Sequence, residues 1–209
     1  MRYSVFRFVP VFLLLLFVVS CSKSPEAEPG AKARGAMSLA SLSGDLFVVM
    51  KSGDVKRGAG VETFLIESTE PFESAWAKLL SEFKADWDVA FAAYRQAKER
   101  YDRTKGMIGT EKWMPAMDEW RRTSTHLDEV RDKYTARAVS LIQSTSHKSA
   151  RTDVNGHYEL ADIKLGKHYI FSHHKVFNNE IYWMIPADLK GGQNKVDLSN
   201  SNASWPFRP

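Results

Sequence analysis

Thr152-Asp153-Val154-Asn155-Gly156-His157-Tyr158 has the residue chemistry of a tight chain reversal. The Asp153 side chain can accept bonds from backbone N–H groups ahead of it, and Gly156 supplies the positive φ that closes the turn. The span 151–160 therefore reads as a turn feeding a strand. Downstream, Leu165-Gly166-Lys167-His168-Tyr169-Ile170-Phe171 is a second turn and strand, Ile181 to Ile185 a third strand and Lys195 to Leu198 a fourth, with Gly191-Gly192 between the last two. Upstream, 44–51 and 61–66 are β-branched and aromatic runs bounded by Ser52-Gly53-Asp54 and Gly58-Ala59-Gly60, the punctuation of strands. The strands around Phe47 and Trp183 are apolar on both faces, which predicts cover on both sides.

Between the early and late strands the period changes. After Pro71, neither Gly nor Pro occurs before Thr104, and Phe72, Trp76, Leu79, Leu80, Phe83, Trp87, Phe91, Tyr94 and Tyr101 recur at three- and four-residue steps. That spacing predicts an amphipathic helix opened by Pro71 and Glu73 and closed at Lys105-Gly106. A second stripe, Trp113, Met117, Trp120, Leu127, Val130, Tyr134, Ala138 and Leu141, predicts another helix to Gln143, regular from Pro115 onward. The short link makes the two helices antiparallel neighbours, and at 1.5 Å per residue the first is about 50 Å long. The expected fold class is α+β; a hairpin of that length either lies across the sheet and overhangs it or projects from it, and the two-sided apolar strands favour packing on one outer face of a β-sandwich.

These strands and turns also carry a family resemblance. The Thr152–Tyr158 turn resembles the Thr-Asp-x-x-Gly-x-aromatic turn of the carboxypeptidase regulatory-like domain, a transthyretin-like antiparallel β-sandwich. Gly44-Asp45-Leu46 is similar to that family's opening strand, Gly60 to Leu65 to its next strand, and Gly166-Lys167-His168-Tyr169 to its Gly-Lys-Tyr strand. The resemblance implies a sandwich formed by 43–68 and 150–199, with the helical hairpin of 69–145 inserted between the second and third strands and 200–209 as a tail. Leu165 stands where the family has Pro, and one extra residue separates Gly166-Lys167 from Tyr169, departures that bear on strand register. The family's domain accompanies enzymes and hydrolyses nothing, so the resemblance implies no catalytic residue.

The N-terminus carries a second resemblance. Met1 to Arg7 is cationic, and Val9 to Val19 is apolar except for Pro10, too short to span a bilayer comfortably. The run ends Val18-Val19-Ser20-Cys21, which is similar to a bacterial lipobox. The resemblance implies that 1–20 is a cleaved signal peptide and that Cys21 takes lipid. Several acyl chains make a lasting anchor at about 0.8 kcal/mol per buried CH₂. Ser22, not an acidic residue, follows the cysteine, which by the same resemblance favours the outer membrane, facing the periplasm. Ser22 to Leu42 is rich in Pro, Gly, Ala, Ser and charge and reads as a tether, so 21–42 is the lipidated linker.

Composition narrows the function. The net charge is +4, two units of which are Arg2 and Arg7 in the leader, and no Lys/Arg block tracks phosphates, so no nucleic-acid partner is implied. Cys21 is the one cysteine, which excludes an intrachain disulfide. No zinc, nucleophile-elbow, Walker or dinucleotide signature occurs, so neither an enzyme nor a cofactor is implied. The helix carboxylates, Asp86, Asp132 and others, are matched by nearby Lys and Arg and read as a solvated face. The leading expectation is a membrane-anchored, non-enzymatic binding or assembly module whose partner is another envelope protein or a cell-wall polymer. The alternative is a periplasmic metal- or ligand-binding protein using His157, His168, His173 or His174. His173 and His174, adjacent on a strand, face opposite ways and do not readily share one ion.

Overall fold

Chain order in the computed structural model, which describes residues 39–177 and 179–207, starts with four strands: β1 (Ala40–Asp45), β2 (Phe47–Val49), β3 (Val55–Arg57) and β4 (Glu62–Glu67). Two long helices follow, α1 (Glu70–Thr104) and α2 (Trp113–Thr145), joined through a 3₁₀ turn at Lys105–Met107. The chain then forms β5 (Lys148–Arg151), β6 (His157–Ile163), β7 (Gly166–Val176), β8 (Asn179–Leu189) and β9 (Gly192–Lys195). Cys21, the 1–20 leader and 21–38 of the expected tether lie outside the described residues.

These elements stack in three layers. The middle layer is a four-stranded sheet ordered β5-β4-β7-β8. Period-two alternation splits its side chains between two apolar clusters. Leu65, Ile170 and Trp183 face one cluster, shared with Leu42, Leu46, Tyr158, Leu160 and Ile163 of the β6-β1-β9 side. Ile66, Phe171, Tyr182 and Met184 face the other, shared with Phe72, Trp76, Leu79, Phe83, Val130, Tyr134, Ala138 and Ile142 of the helices. The chain is thus an α+β fold in which the hairpin lies on the outer face of the four-stranded sheet. The tail completes that interface, for Trp205 and Phe207 are both buried within the helix-side cluster.

The reversal at 153–156 ties the β6-β1-β9 sheet to the β3–β4 link. One Asp153 carboxylate oxygen accepts the N–H groups of Asn155 (2.8 Å) and His157 (2.9 Å). Gly156 has φ +81°, and a Cβ there would lie 2.5 Å from the Leu46 carbonyl oxygen, so both conformation and space demand glycine. The buried Thr152 hydroxyl donates to the Gly58 carbonyl and accepts the Val61 N–H at 2.8 Å. Gly44 is needed for closeness: a Cβ there would sit 1.8 Å from the Val196 carbonyl oxygen.

Several boundaries differ from the sequence reading. β1 begins at Ala40, inside the stretch read as tether, because Ala40 and Leu42 are buried against β6. The single strand expected over 44–51 is two strands, broken at Leu46, and β3 is an additional one. The hairpin therefore falls between the fourth and fifth strands, not the second and third. The pairing is not wholly antiparallel, since β9 crosses from the four-stranded sheet and enters beside β1 in the same direction. The strand around Trp183 is covered on both sides, but β2 is not: Val48 is buried while Val49 is 41 % exposed. α2 starts at Trp113, with Pro115 accommodated in its first turn, where a missing N–H costs no helical bond.

Candidate functional site

The hairpin is longer than the sheet requires. The buried residues of the cluster shared with the sheet end at Ala90 on α1 and Val130 on α2, with Leu127 packed at the margin. Beyond those positions the helices bury small residues against each other, Ala97 and Ala116, and stack Tyr101 on Trp120 with ring centroids 4.8 Å apart. Arg137–Glu82 (2.7 Å), Lys133–Asp86 (3.1 Å) and Arg100–Glu119 bridge the helices, each step along α1 matched by an equal step back along α2. Individually such pairs contribute little, but together they hold one register to the tip. The Asp86 carboxylate, read from sequence as part of a solvated face, is thus a fastener of the arm, together with Glu82. The Tyr134 hydroxyl also donates to Asp86 at 2.8 Å and, with Lys133, holds that carboxyl below its ordinary value.

Along the outer half of α1 runs an aromatic ladder. Trp87, Phe91 and Tyr94 stack with centroid spacings of 6.1 and 6.2 Å, and the Arg95 guanidinium lies 5.5 Å from the centre of the Phe91 ring. At the turn Met107 (49 %), Ile108 (74 %) and Met114 (46 %) are exposed. A single exposed apolar side chain is ordinary, whereas a run of them on one element is the kind of surface that proteins use for contacts.

At the root of the arm, α2 and the β7–β8 hairpin flank an open groove of about 540 Å³. Asp132, Thr135, Ser140 and Gln143 line the helix wall, and His173, Glu180 and Tyr182 the strand wall. The His173, Tyr182 and Trp205 rings form a continuous stack, 4.2 and 4.8 Å between centroids. The Trp205 indole N–H donates to the Thr135 hydroxyl at 3.2 Å, which fixes the tail against α2. The Tyr182 hydroxyl donates to Glu180 at 3.0 Å.

The late histidines are dispersed. His157 Nδ1 lies 3.0 Å from Asp45 at the edge of the β6-β1-β9 sheet. His168 is buried, its Nδ1 at 3.0 Å from the Gly166 carbonyl and its ring against His147. His173 faces the helices and His174 the opposite side of β7, where burial, then His173, lowers its pKa. Among the described residues no group of three His, Cys, Asp or Glu side chains is placed to hold a metal ion. Sequence reasoning missed the groove, whose walls are about forty residues apart in the chain and polar on both sides.

Asp45 carries a pH dependence. The His157 hydrogen bond, and then Lys195 at 3.4 Å, hold its carboxyl below the ordinary 3.8 against the opposing effect of burial. A depressed acid stabilises the fold above its unfolded pKa, and that contribution is lost as pH falls through the lower folded value. Asp45→Asn should cost about 0.5 kcal/mol at neutral pH, small because the groups are half-exposed. Denaturant titrations at several pH values should show the difference from the parent shrinking below pH 3.8.

No protein-family model matches the sequence, and comparison with curated proteins finds no match. Among solved structures the chain is similar to PA1324 from Pseudomonas aeruginosa, described provisionally as a carbohydrate binding protein. That likeness has 16 % identity and TM-score 0.36, over 78 % of this chain and 90 % of that one. It is also similar to the pilus backbone protein RrgB from Streptococcus pneumoniae, at 12 % identity and TM-score 0.25, over 72 % of this chain and 35 % of that one. The full-length major pilin RrgB gives 11 % identity and TM-score 0.26, over 76 % and 30 %. The chain thus spans about a third of the length of those pilus proteins. Among the described residues no helix is long and apolar enough to cross a membrane.

Proposed function

We propose that this chain is a non-enzymatic binding or assembly module of the bacterial envelope, carried on a transthyretin-like sandwich. Lipid on Cys21 holds it to the outer membrane, and the helical arm contacts an envelope protein or a cell-wall polymer. The observation that carries the reading is the outer half of the hairpin. Beyond Ala90 and Val130 no further residue is buried in the core shared with the sheet, and only Leu127 packs on its margin, yet the helices are held in register and present the Phe91–Tyr94 ladder and the Met107–Ile108 tip. A helix pair kept rigid beyond its own packing needs lowers the ordering cost of a contact made elsewhere. The anchor reading is supported by the placement of the chain's one cysteine directly after Val18-Val19-Ser20.

One experiment addresses both halves. Full-length chain and Phe91→Ala/Tyr94→Ala are crosslinked in intact cells, extracted in mild detergent and recovered by affinity. The parent should bring down one stoichiometric partner or polymer fragment, and the double variant at least tenfold less, with unchanged thermal unfolding. Cys21→Ser, carried in parallel, should leave the membrane fraction. Equal recovery by the parent and the double variant refutes the arm, and membrane retention of Cys21→Ser refutes the anchor.

A further inference from the structure

The geometry points to the groove between α2 and the β7–β8 hairpin as a binding site for an uncharged oligosaccharide. This goes beyond the reading of the arm and stands apart from it, since the groove lies at the hairpin's root and shares no residue with the ladder.

Thr135 and Ser140 offer hydroxyls, Gln143 an amide, His173 an imidazole, and Asp132 and Glu180 carboxylates that only accept. A sugar hydroxyl both donates and accepts, so a wall that mixes both capacities suits it. A bound anion would need cationic donors, and among the described residues no Lys or Arg lines the groove. Lys133 and Arg137, on the same helix, are turned to Asp86 and Glu82 of α1. A bound cation would need unspent carboxylates. Asp132 is paired with Arg131 at 3.1 Å, and Glu180 accepts the Tyr182 hydroxyl, so neither is a bare negative charge. What remains is recognition of neutral, hydroxyl-rich ligands.

Shape agrees with that chemistry. Asp132 to Gln143 spans about 16 Å of helix, room for a short oligosaccharide and too long for a single ring. Ala136 and Val139 supply an apolar strip between the polar positions, against which the C–H face of a sugar ring can rest. The His173–Tyr182–Trp205 stack braces the opposite wall, so the polar groups are presented from a rigid surface.

The test uses the full-length chain in detergent and follows Trp and Tyr fluorescence, because Trp205 and Tyr182 underlie the groove. The probes are tetramers of neutral hexose and N-acetylhexosamine, a tetramer bearing free amines, and an oligouronate. A neutral tetramer should bind with saturating fluorescence change and at least tenfold more tightly than the oligouronate. Gln143→Ala and Ser140→Lys, both at exposed helix positions, should weaken that binding at least fivefold without altering unfolding, whereas Phe91→Ala/Tyr94→Ala should leave it unchanged. Binding of the amine-bearing tetramer alone would identify an acidic site for cations and overturn the proposal. So would binding insensitive to Gln143→Ala and Ser140→Lys, or no binding of any neutral tetramer at millimolar concentration.

Discussion

Trp183→Ala should destabilise the chain by about 5 kcal/mol, a large share of the stability of a domain this size. Trp183 is fully buried in the cluster between the two sheets, and its indole N–H donates to the Ser199 carbonyl at 2.7 Å. Removing the ring leaves a cavity in that core and strands the Ser199 carbonyl. That bond also clamps the segment after β9, since Leu198 pairs in parallel with Leu46 and the Asn202 side chain holds Ser199. Trp183→Phe weighs the two contributions, because it loses the N–H donor outright and only part of the ring volume. It should cost about 1.5 kcal/mol. Urea unfolding of both variants measures these losses, and similar values for the two would mean that the hydrogen bond dominates.

How much of this was legible in the sequence depends on how local the cause is. The helices were the clearest reading because α1 repeats one apolar stripe for ten turns, and its ends follow from Pro71 and Lys105-Gly106. The middles of β7 and β8 were plain too, since Ile170-Phe171 and Tyr182-Trp183-Met184 put apolar side chains on both faces, but the polar continuations to Val176 and Leu189 were not read as strand. By contrast, β3 is Val55-Lys56-Arg57, exposed throughout, with no pattern to mark it. The start of β1 was hidden for the opposite reason: Ala40-Ser41-Leu42 is bland, and burial by β6 makes it a strand. The parallel entry of β9 beside β1 joins residues some 150 positions apart, and no window on the sequence contains both. The groove suffers the same blindness. Asp132 and Gln143 look like a solvated helix face until β8 is laid alongside them.

Phe207→Ala should release the hairpin without unfolding the sheets. Phe207 is fully buried, with ring centroids 5.7 Å from Trp76, 5.0 Å from Phe83 and 5.2 Å from Trp205. Trp205 in turn lies 5.5 Å from Phe171 and 4.8 Å from Tyr182 of the four-stranded sheet. The tail is therefore a wedge, with one ring set in α1 and the other on β7 and β8. Truncating Phe207 should cost about 4 kcal/mol, by analogy with other buried Phe→Ala changes. The loss is not shared evenly, because Phe207 belongs to the helix-side cluster and Leu46, Tyr158 and Trp183 to the other. Proteins open in cooperative units whose stabilities differ, and amide exchange reads them separately. In Phe207→Ala, exchange should quicken at least a hundredfold around Trp76, Phe83 and Tyr134, and far less around Leu160 and Ile170. Equal acceleration in both regions would show that the three layers fold as one unit and that the arm cannot move independently of the sheet beneath it.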